Sequence, residues 1–165
     1  MPLWLFAGET AMAAAVVDRA LTLNPNAALA WTAKGWIHAL RNQPEAAIEA
    51  FDRARRLSPL DPLGYYDEAG LAAAHLVARR FEAAIECADR SLLHGQPRVT
   101  TAFRIKIVAN AHLGRLDEAR AELRRLLAID PKLRIAAVRV LFASAAPEFL
   151  ELYVSGLRLA GLPEK

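Results

Sequence analysis

Apolar residues recur three and four positions apart along most of the chain, and strict alternation of apolar and polar residues is absent. This spacing is typical of amphipathic helices and argues against strands. Short turn-like strings separate the apolar stretches. The pattern predicts helices over 10–23, 27–41, 44–57, 63–79, 81–94, 97–113, 116–129 and 147–159, with a further helical start over 132–142. The sequence therefore predicts an all-α fold.

The predicted helices fall into a repeating unit, because two columns of mostly small residues recur together at spacings of 34, 37 and 35 residues. The first column is Ala13, Ala47, Ala84 and Ala119, and the second is Ala20, Ala54, Ser91 and Leu126. Pro25, Pro59, Pro97 and Pro131 close the units. A period of this length indicates an array of helix pairs, each of which buries its apolar side against its neighbours.

The best-preserved unit contains Trp31, Gly35, Phe51 and Pro59 at fixed offsets around its small residues. It resembles a tetratricopeptide repeat, whose signature is Trp-x2-Leu-Gly-x2-Tyr followed by Ala-x3-Phe and Pro. Lys34 and His38 depart from the Leu and Tyr of that signature. The resemblance implies a right-handed α-solenoid of helix-turn-helix pairs.

The repeats predict a single domain over 1–165 with distinct ends. Full repeats are expected over 28–61, 65–98 and 100–133, and a truncated repeat over 1–27, in which Leu3–Phe6 are the tail of a first helix and Ala7–Glu9 a turn. The segment 134–165 is expected to form C-terminal capping helices, because repeat arrays need a terminal element that is polar outside and apolar inside.

Several strings, such as Asp18–Asn26, Arg56–Gly64, Gly114–Ala119 and Gly156–Pro163, extend the resemblance to one lineage. They are similar to the C-terminal tetratricopeptide region of bacterial class III adenylate/guanylate cyclase-like proteins, and to regions that follow the winged-helix domains of some transcriptional regulators. This resemblance implies the regulatory or assembly part of a larger bacterial signalling protein. It transfers no catalytic or DNA-reading residue to this chain.

Composition and charge exclude several other classes of function. The formal net charge is only +3, and the basic residues are interleaved with acids, so we expect no nucleic-acid partner. No apolar run reaches the roughly 18 residues that span a bilayer, and the single cysteine rules out an internal disulfide framework. We expect a cytoplasmic protein that is not an enzyme, with no catalytic, metal or cofactor site.

The resemblance implies a concave groove lined by the first helix of each repeat, at repeat positions 2, 5, 9 and 12. These positions are Leu29, Thr32, Trp36 and Ala39, then Tyr66, Ala69, Ala73 and Leu76, then Thr101, Arg104, Val108 and Ala111, with His112 adjacent. With one Arg and no Lys or Asn, the set argues against a clamp for a terminal carboxylate. A mostly small and apolar groove suits a partner protein or peptide, such as an amphipathic helix or another copy of the array.

Two alternatives stay open at this stage. Trp36 and Tyr66 either anchor a partner or fill gaps between neighbouring repeats. The chain either binds a foreign polypeptide or forms a homodimer, through the groove or through the apolar face of 10–23, which carries Val16 and Val17. A nucleotide-responsive regulator is a third hypothesis, although the sequence shows no Gly-rich phosphate loop.

Overall fold

The computed structural model describes residues 10–94 and 100–165, and within these ranges every regular element is a helix. The helices are α1 (Thr10–Leu23), α2 (Ala28–Leu40), α3 (Pro44–Leu57), α4 (Gly64–Val77), α5 (Phe81–His94), α6 (Thr100–His112), α7 (Leu116–Ile129), α8 (Ile135–Leu141) and α9 (Pro147–Ala160). The all-α solenoid predicted from the sequence is confirmed. The elements expected over 3–9 and 97–99 lie outside the described residues.

Each repeat is a helix pair: α2 packs on α3, α4 on α5, and α6 on α7. The second helices α3, α5 and α7 begin and end at the residues that the sequence pattern predicts. The small residues Ala47, Ala84 and Ala119 are completely buried where the two helices of a pair meet. Phe51 is also completely buried, and a Cβ added at Gly35 would lie 2.8 Å from its ring. The signature glycine therefore makes room for the signature phenylalanine.

The turn inside each repeat has the same backbone geometry in all three pairs. Asn42, Arg79 and Gly114 occupy equivalent positions and have φ values of 57°, 58° and 76°. The residue after each of them donates its amide to a carbonyl five residues earlier, as Arg80 does to His75 over 2.9 Å. This is the left-handed ending that helices commonly adopt, and it favours glycine.

Ion pairs between neighbouring helices recur at equivalent positions along the array. Two columns are formed by Lys34–Asp18 (2.9 Å) with Lys106–Asp89 (2.7 Å), and by Arg80–Glu45 (2.8 Å) with Arg115–Glu82 (3.4 Å). Most of these side chains are well exposed, so each pair contributes little to the free energy of folding. Their recurrence shows instead that successive repeats stack in the same way.

The C-terminal part departs from the repeat pattern. Helix α8 has only seven residues, fewer than the 132–142 stretch predicts, and it is followed by a turn over 142–146. The amides of Ile135 and Ala136 donate to the carbonyls of Pro163 and Glu164, so the chain's last residues pair with the first turn of α8. This pairing holds the C-terminal segment against the array.

Arg79 is an exposed residue with a Cβ in a conformation that favours glycine. Replacing it, Arg79→Gly, should raise the free energy of unfolding by about 0.5–1 kcal/mol, because the left-handed conformation costs a side chain about 1–2 kcal/mol and the freer unfolded glycine offsets part of the gain. Urea denaturation measures the change. Gly114→Arg is the matched reverse substitution and should destabilise the protein by a similar amount; equal stability of both variants would contradict this account.

Candidate partner-binding face

We define the inner face as the eleven residues of α2, α4 and α6 that the sequence assigns to a partner. These are Leu29, Thr32, Trp36, Tyr66, Ala69, Ala73, Leu76, Thr101, Arg104, Val108 and His112. The three helices lie side by side in the array. Most of the eleven side chains are buried, so the structure places them close together but leaves few of them in contact with solvent.

On α2, the exposure of the inner face falls steeply along the helix. Leu29 is 60% exposed, whereas Thr32 is buried and donates its hydroxyl to Asp67 Oδ1 over 2.6 Å. Trp36 is only 3% exposed. Its ring meets Phe51 edge-on at 5.7 Å between centroids and Tyr66 at 5.4 Å. Trp36 thus occupies the gap between two repeats, which is the interior alternative that the sequence left open.

On α4, the inner face is almost closed. Ala69, Ala73 and Leu76 are buried, and only Tyr66 at the start of the helix is half-exposed. Burial of the Tyr66 ring raises the pKa of its hydroxyl to about 12, with a smaller contribution from Tyr65. Tyr66 is therefore neutral at any physiological pH and can act as an apolar surface with a hydroxyl at its edge.

On α6, the inner face is covered by the chain's own last helix. Gly156 of α9 lies against Val108, so closely that an added Cβ would be 2.9 Å from Val108 Cα. His112 Nε2 lies 2.9 Å from the carbonyl oxygen of Leu152, and donates to it. Thr101 and Arg104 are buried beside this contact. Helix α9 therefore occupies the groove positions that the third repeat was expected to offer to a partner.

Helix α9 also reaches back to the first full repeat. The amide of Ala146, directly before α9, donates to the carbonyl of Leu40 at the end of α2 over 2.8 Å. Phe142, Phe149 and Tyr153 form an aromatic cluster with centroid separations of 5.0–5.5 Å. The sequence predicted α9 as a terminal cap and gave no sign of where it lies. Gly156, in the middle of an apolar helical pattern, was the one signal of a close approach.

The uncovered part of the inner face is its end near the start of α2 and α4. A cavity of about 40 Å³ lies there. It is lined by exposed Leu29 and Leu63, half-buried Tyr65 and Tyr66, and Thr32, Asp61 and Asp67. Burial raises the pKa of Asp67, and the hydrogen bond from Thr32 partly opposes that rise. We call this surface the open end; it combines apolar side chains with two carboxylates.

A wider crevice adjoins the open end at the α3–α4 turn. It has a volume of about 810 Å³ and shares Asp61, Tyr65 and Asp67 with the open end. Its opposite wall carries Arg55, which pairs with Glu68 at 3.3 Å. The mixture of charges gives this crevice no single preference for a ligand, so it extends the accessible surface without defining a chemical site.

Other classes of site are not found in residues 10–94 and 100–165. No group of three or more His, Cys, Asp or Glu side chains could hold a metal ion there. Within the same ranges no helix is long and apolar enough to cross a bilayer.

Comparison with known proteins agrees with this architecture. The tetratricopeptide-repeat family model matches residues 5–62 and 70–133. The chain belongs to the tetratricopeptide-repeat family. Members of this family act as protein-interaction modules.

Two curated relatives are FK506-binding protein-like proteins. The one from Homo sapiens is 38% identical over 98 residues, which are 56% of this chain and 28% of the relative; the one from Rattus norvegicus is 37% identical over the same shares. The chain thus spans little more than a quarter of the length of the curated relatives it matches.

Two solved structures share the fold. PilW, a widely conserved type IV pilus biogenesis factor, superposes with a TM-score of 0.66 at 20% identity, over 87% of this chain and 62% of PilW. MamA superposes with a TM-score of 0.60 at 18% identity, over 87% of this chain and 82% of MamA. At these identities both similarities show the solenoid fold alone.

The buried position of Trp36 generates a prediction about stability. Trp36→Ala should lower the free energy of unfolding by about 3–5 kcal/mol, because it removes a large ring from the packed space between two repeats. Leu29→Ala, at an exposed position of the same helix, should change it by less than about 0.5 kcal/mol. Chemical denaturation of both variants tests the assignment, and similar stabilities would place Trp36 at the surface instead.

Proposed function

We propose that this chain binds a partner polypeptide on its inner face, and that the bound segment is an amphipathic helix. The observation that carries the proposal is that a helix, α9, already lies on this face and seats its apolar side on α6. The family's role as an interaction module supports it. A preformed array also lowers the ordering cost of binding, because the receptor helices are fixed in advance.

The open end is where a partner first meets the protein. Leu29, Leu63 and Tyr66 offer an accessible apolar surface there, and no basic residue lines its cavity. Asp61 and Asp67 favour a partner segment that carries Lys or Arg beside its apolar residues. Such a segment would bury its apolar side on the leucines and keep its cations near the carboxylates.

The place of the chain in a larger signalling protein rests on the similarity of its repeat strings to cyclase-like and winged-helix regulators. That assignment stays a prediction of the sequence, as do a bacterial origin and a cytoplasmic location. Protein binding at the inner face does not depend on any of them.

A charge placed on the open end tests the proposal. Leu29→Glu should abolish capture of a partner from a lysate of the source cells, because it replaces an apolar contact of the open end with a carboxylate that the bound partner would have to bury. Val140→Glu is the matched control, since Val140 is 72% exposed on α8. Quantitative mass spectrometry should find a protein retained by the wild type and by the control, but not by Leu29→Glu. Equal retention by all three would refute the assignment.

Self-association through α1 is a second candidate function, favoured by an exposed apolar face. Met12, Val16 and Leu23 lie on one side of α1, and each is at least 60% exposed. Val17, which the sequence also assigns to this face, is buried in the core instead. Apolar faces of this kind mark association surfaces in soluble proteins.

If α1 forms a homodimer interface, Val16→Glu should shift the protein to the monomer. Analytical ultracentrifugation at about 100 μM measures the change. Val140→Glu again serves as the control and should leave the mass unchanged. A monomeric wild type at that concentration would remove this candidate and leave the inner face as the functional surface.

A further inference from the structure

Helix α9 shows which kind of helix the covered part of the inner face accepts. Its contacts fall on Arg104, Val108 and His112 of α6, which are the groove positions of the third repeat. The seat is selective at Gly156, because an added Cβ would meet both the side chain and the Cα of Val108. A helix that takes this place therefore needs a glycine at the position of Gly156.

The contact between α6 and α9 leaves the buried cation Arg104 without an anionic partner. Arg104 is 6% exposed, and its guanidinium donates to the hydroxyls of Thr100 (3.0 Å) and Thr101 (3.2 Å). No carboxylate among the described residues forms an ion pair with it. A buried cation without an anionic partner is costly, since it has lost its water and gained no charge in return.

On α9, the side chain that faces Arg104 is Tyr153. Arg104 lies close enough to lower the pKa of the Tyr153 hydroxyl, although complete burial raises that pKa by more. Neither Arg104 Nε nor the Tyr153 hydroxyl makes a hydrogen bond of good geometry. Helix α9 therefore fits the groove in shape, but it leaves the buried Arg104 Nε without a hydrogen-bond partner and offers the guanidinium a neutral hydroxyl instead of an anion.

We propose that α9 is a built-in occupant of the partner site, and that the partner which replaces it is a helix presenting a small residue to Val108 and a carboxylate to Arg104. This inference rests on the proposed function and specifies the partner's chemistry. A Glu at the position of Tyr153 would form an ion pair with the guanidinium, whereas the neutral Tyr153 of α9 brings no negative charge to it. Only chains in which α9 has left the groove can bind the partner. The apparent Kd is therefore the intrinsic Kd divided by the fraction of such chains.

Peptides with the sequence of α9 test the proposal in the full chain. Fluorescein-labelled peptides of residues 145–162 would carry the natural sequence, Tyr153→Glu or Tyr153→Gln, and fluorescence anisotropy would measure their binding. The Tyr153→Glu peptide should bind at least about tenfold more tightly than the other two, since one charge-assisted hydrogen bond is worth that factor or more. In the Arg104→Gln chain the three peptides should bind alike. Equal binding of the three peptides to the wild type, or no binding of any, would overturn the proposal.

Two substitutions at Gly156 show whether the peptide uses the seat of α9. A Tyr153→Glu peptide that also carries Gly156→Leu should lose binding, because leucine cannot approach Val108; retained binding would overturn the proposal. The chain variant Gly156→Leu should release its own α9 and bind the Tyr153→Glu peptide at least tenfold more tightly than the wild type does. An unchanged affinity in a folded variant would show that α9 is no competitor.

Far-UV circular dichroism reports whether the Gly156→Leu chain keeps its helices. If it does not fold, the peptide comparison on the wild type and on Arg104→Gln decides alone. If the Tyr153→Glu peptide binds no better than the others, but the Leu29→Glu chain still loses its partner, this inference is wrong. The proposed function at the open end is then unaffected. Failure of both would end both.

Discussion

The close approach of the two helices inside each repeat is the constraint on which the rest of the structure depends. Ala47, Ala84 and Ala119 have no accessible surface, and a larger side chain at any of them would push its helix pair apart. Because each pair has a buried alanine at the same position, the two helices can approach closely in every repeat, which favours stacking of successive pairs with the same geometry. The recurring left-handed turns and the recurring ion pairs are consequences of that stacking.

This constraint explains why so much of the fold could be predicted from the sequence. Small residues at 47, 84 and 119 and prolines at fixed distances are local signals, and helices α3, α5 and α7 follow from them residue by residue. The place of α9 could not be predicted in this way. Its amphipathic pattern shows that one side is buried, but a pattern carries no information about the surface that buries it. That surface, on α6, is about forty residues away in the sequence.

The sequence therefore predicted which residues form the inner face, but not which of them are accessible to a partner. The helices α2, α4 and α6 lie side by side as expected. Trp36, however, is buried between two repeats, and Val108 is buried against α9. A repeat signature records which side of a helix faces the groove. It does not record whether the groove is filled, because that depends on the rest of the chain. Leu29 and Tyr66 are accessible because α9 does not extend over the start of α2 and α4.

The two attachments of α9 have a mechanical consequence. One end is held at Leu40 in the first full repeat, and its middle is held at Val108 in the third. A helix has a fixed rise per residue, so α9, with 14 residues, limits the distance between those two repeats while both attachments are made. The curvature of a solenoid arises from small rotations between successive repeats. Here the seated α9 restricts those rotations between the first and third full repeats. An array with one more repeat inserted in the middle could not keep both attachments, and the number of repeats is thereby tied to the length of α9.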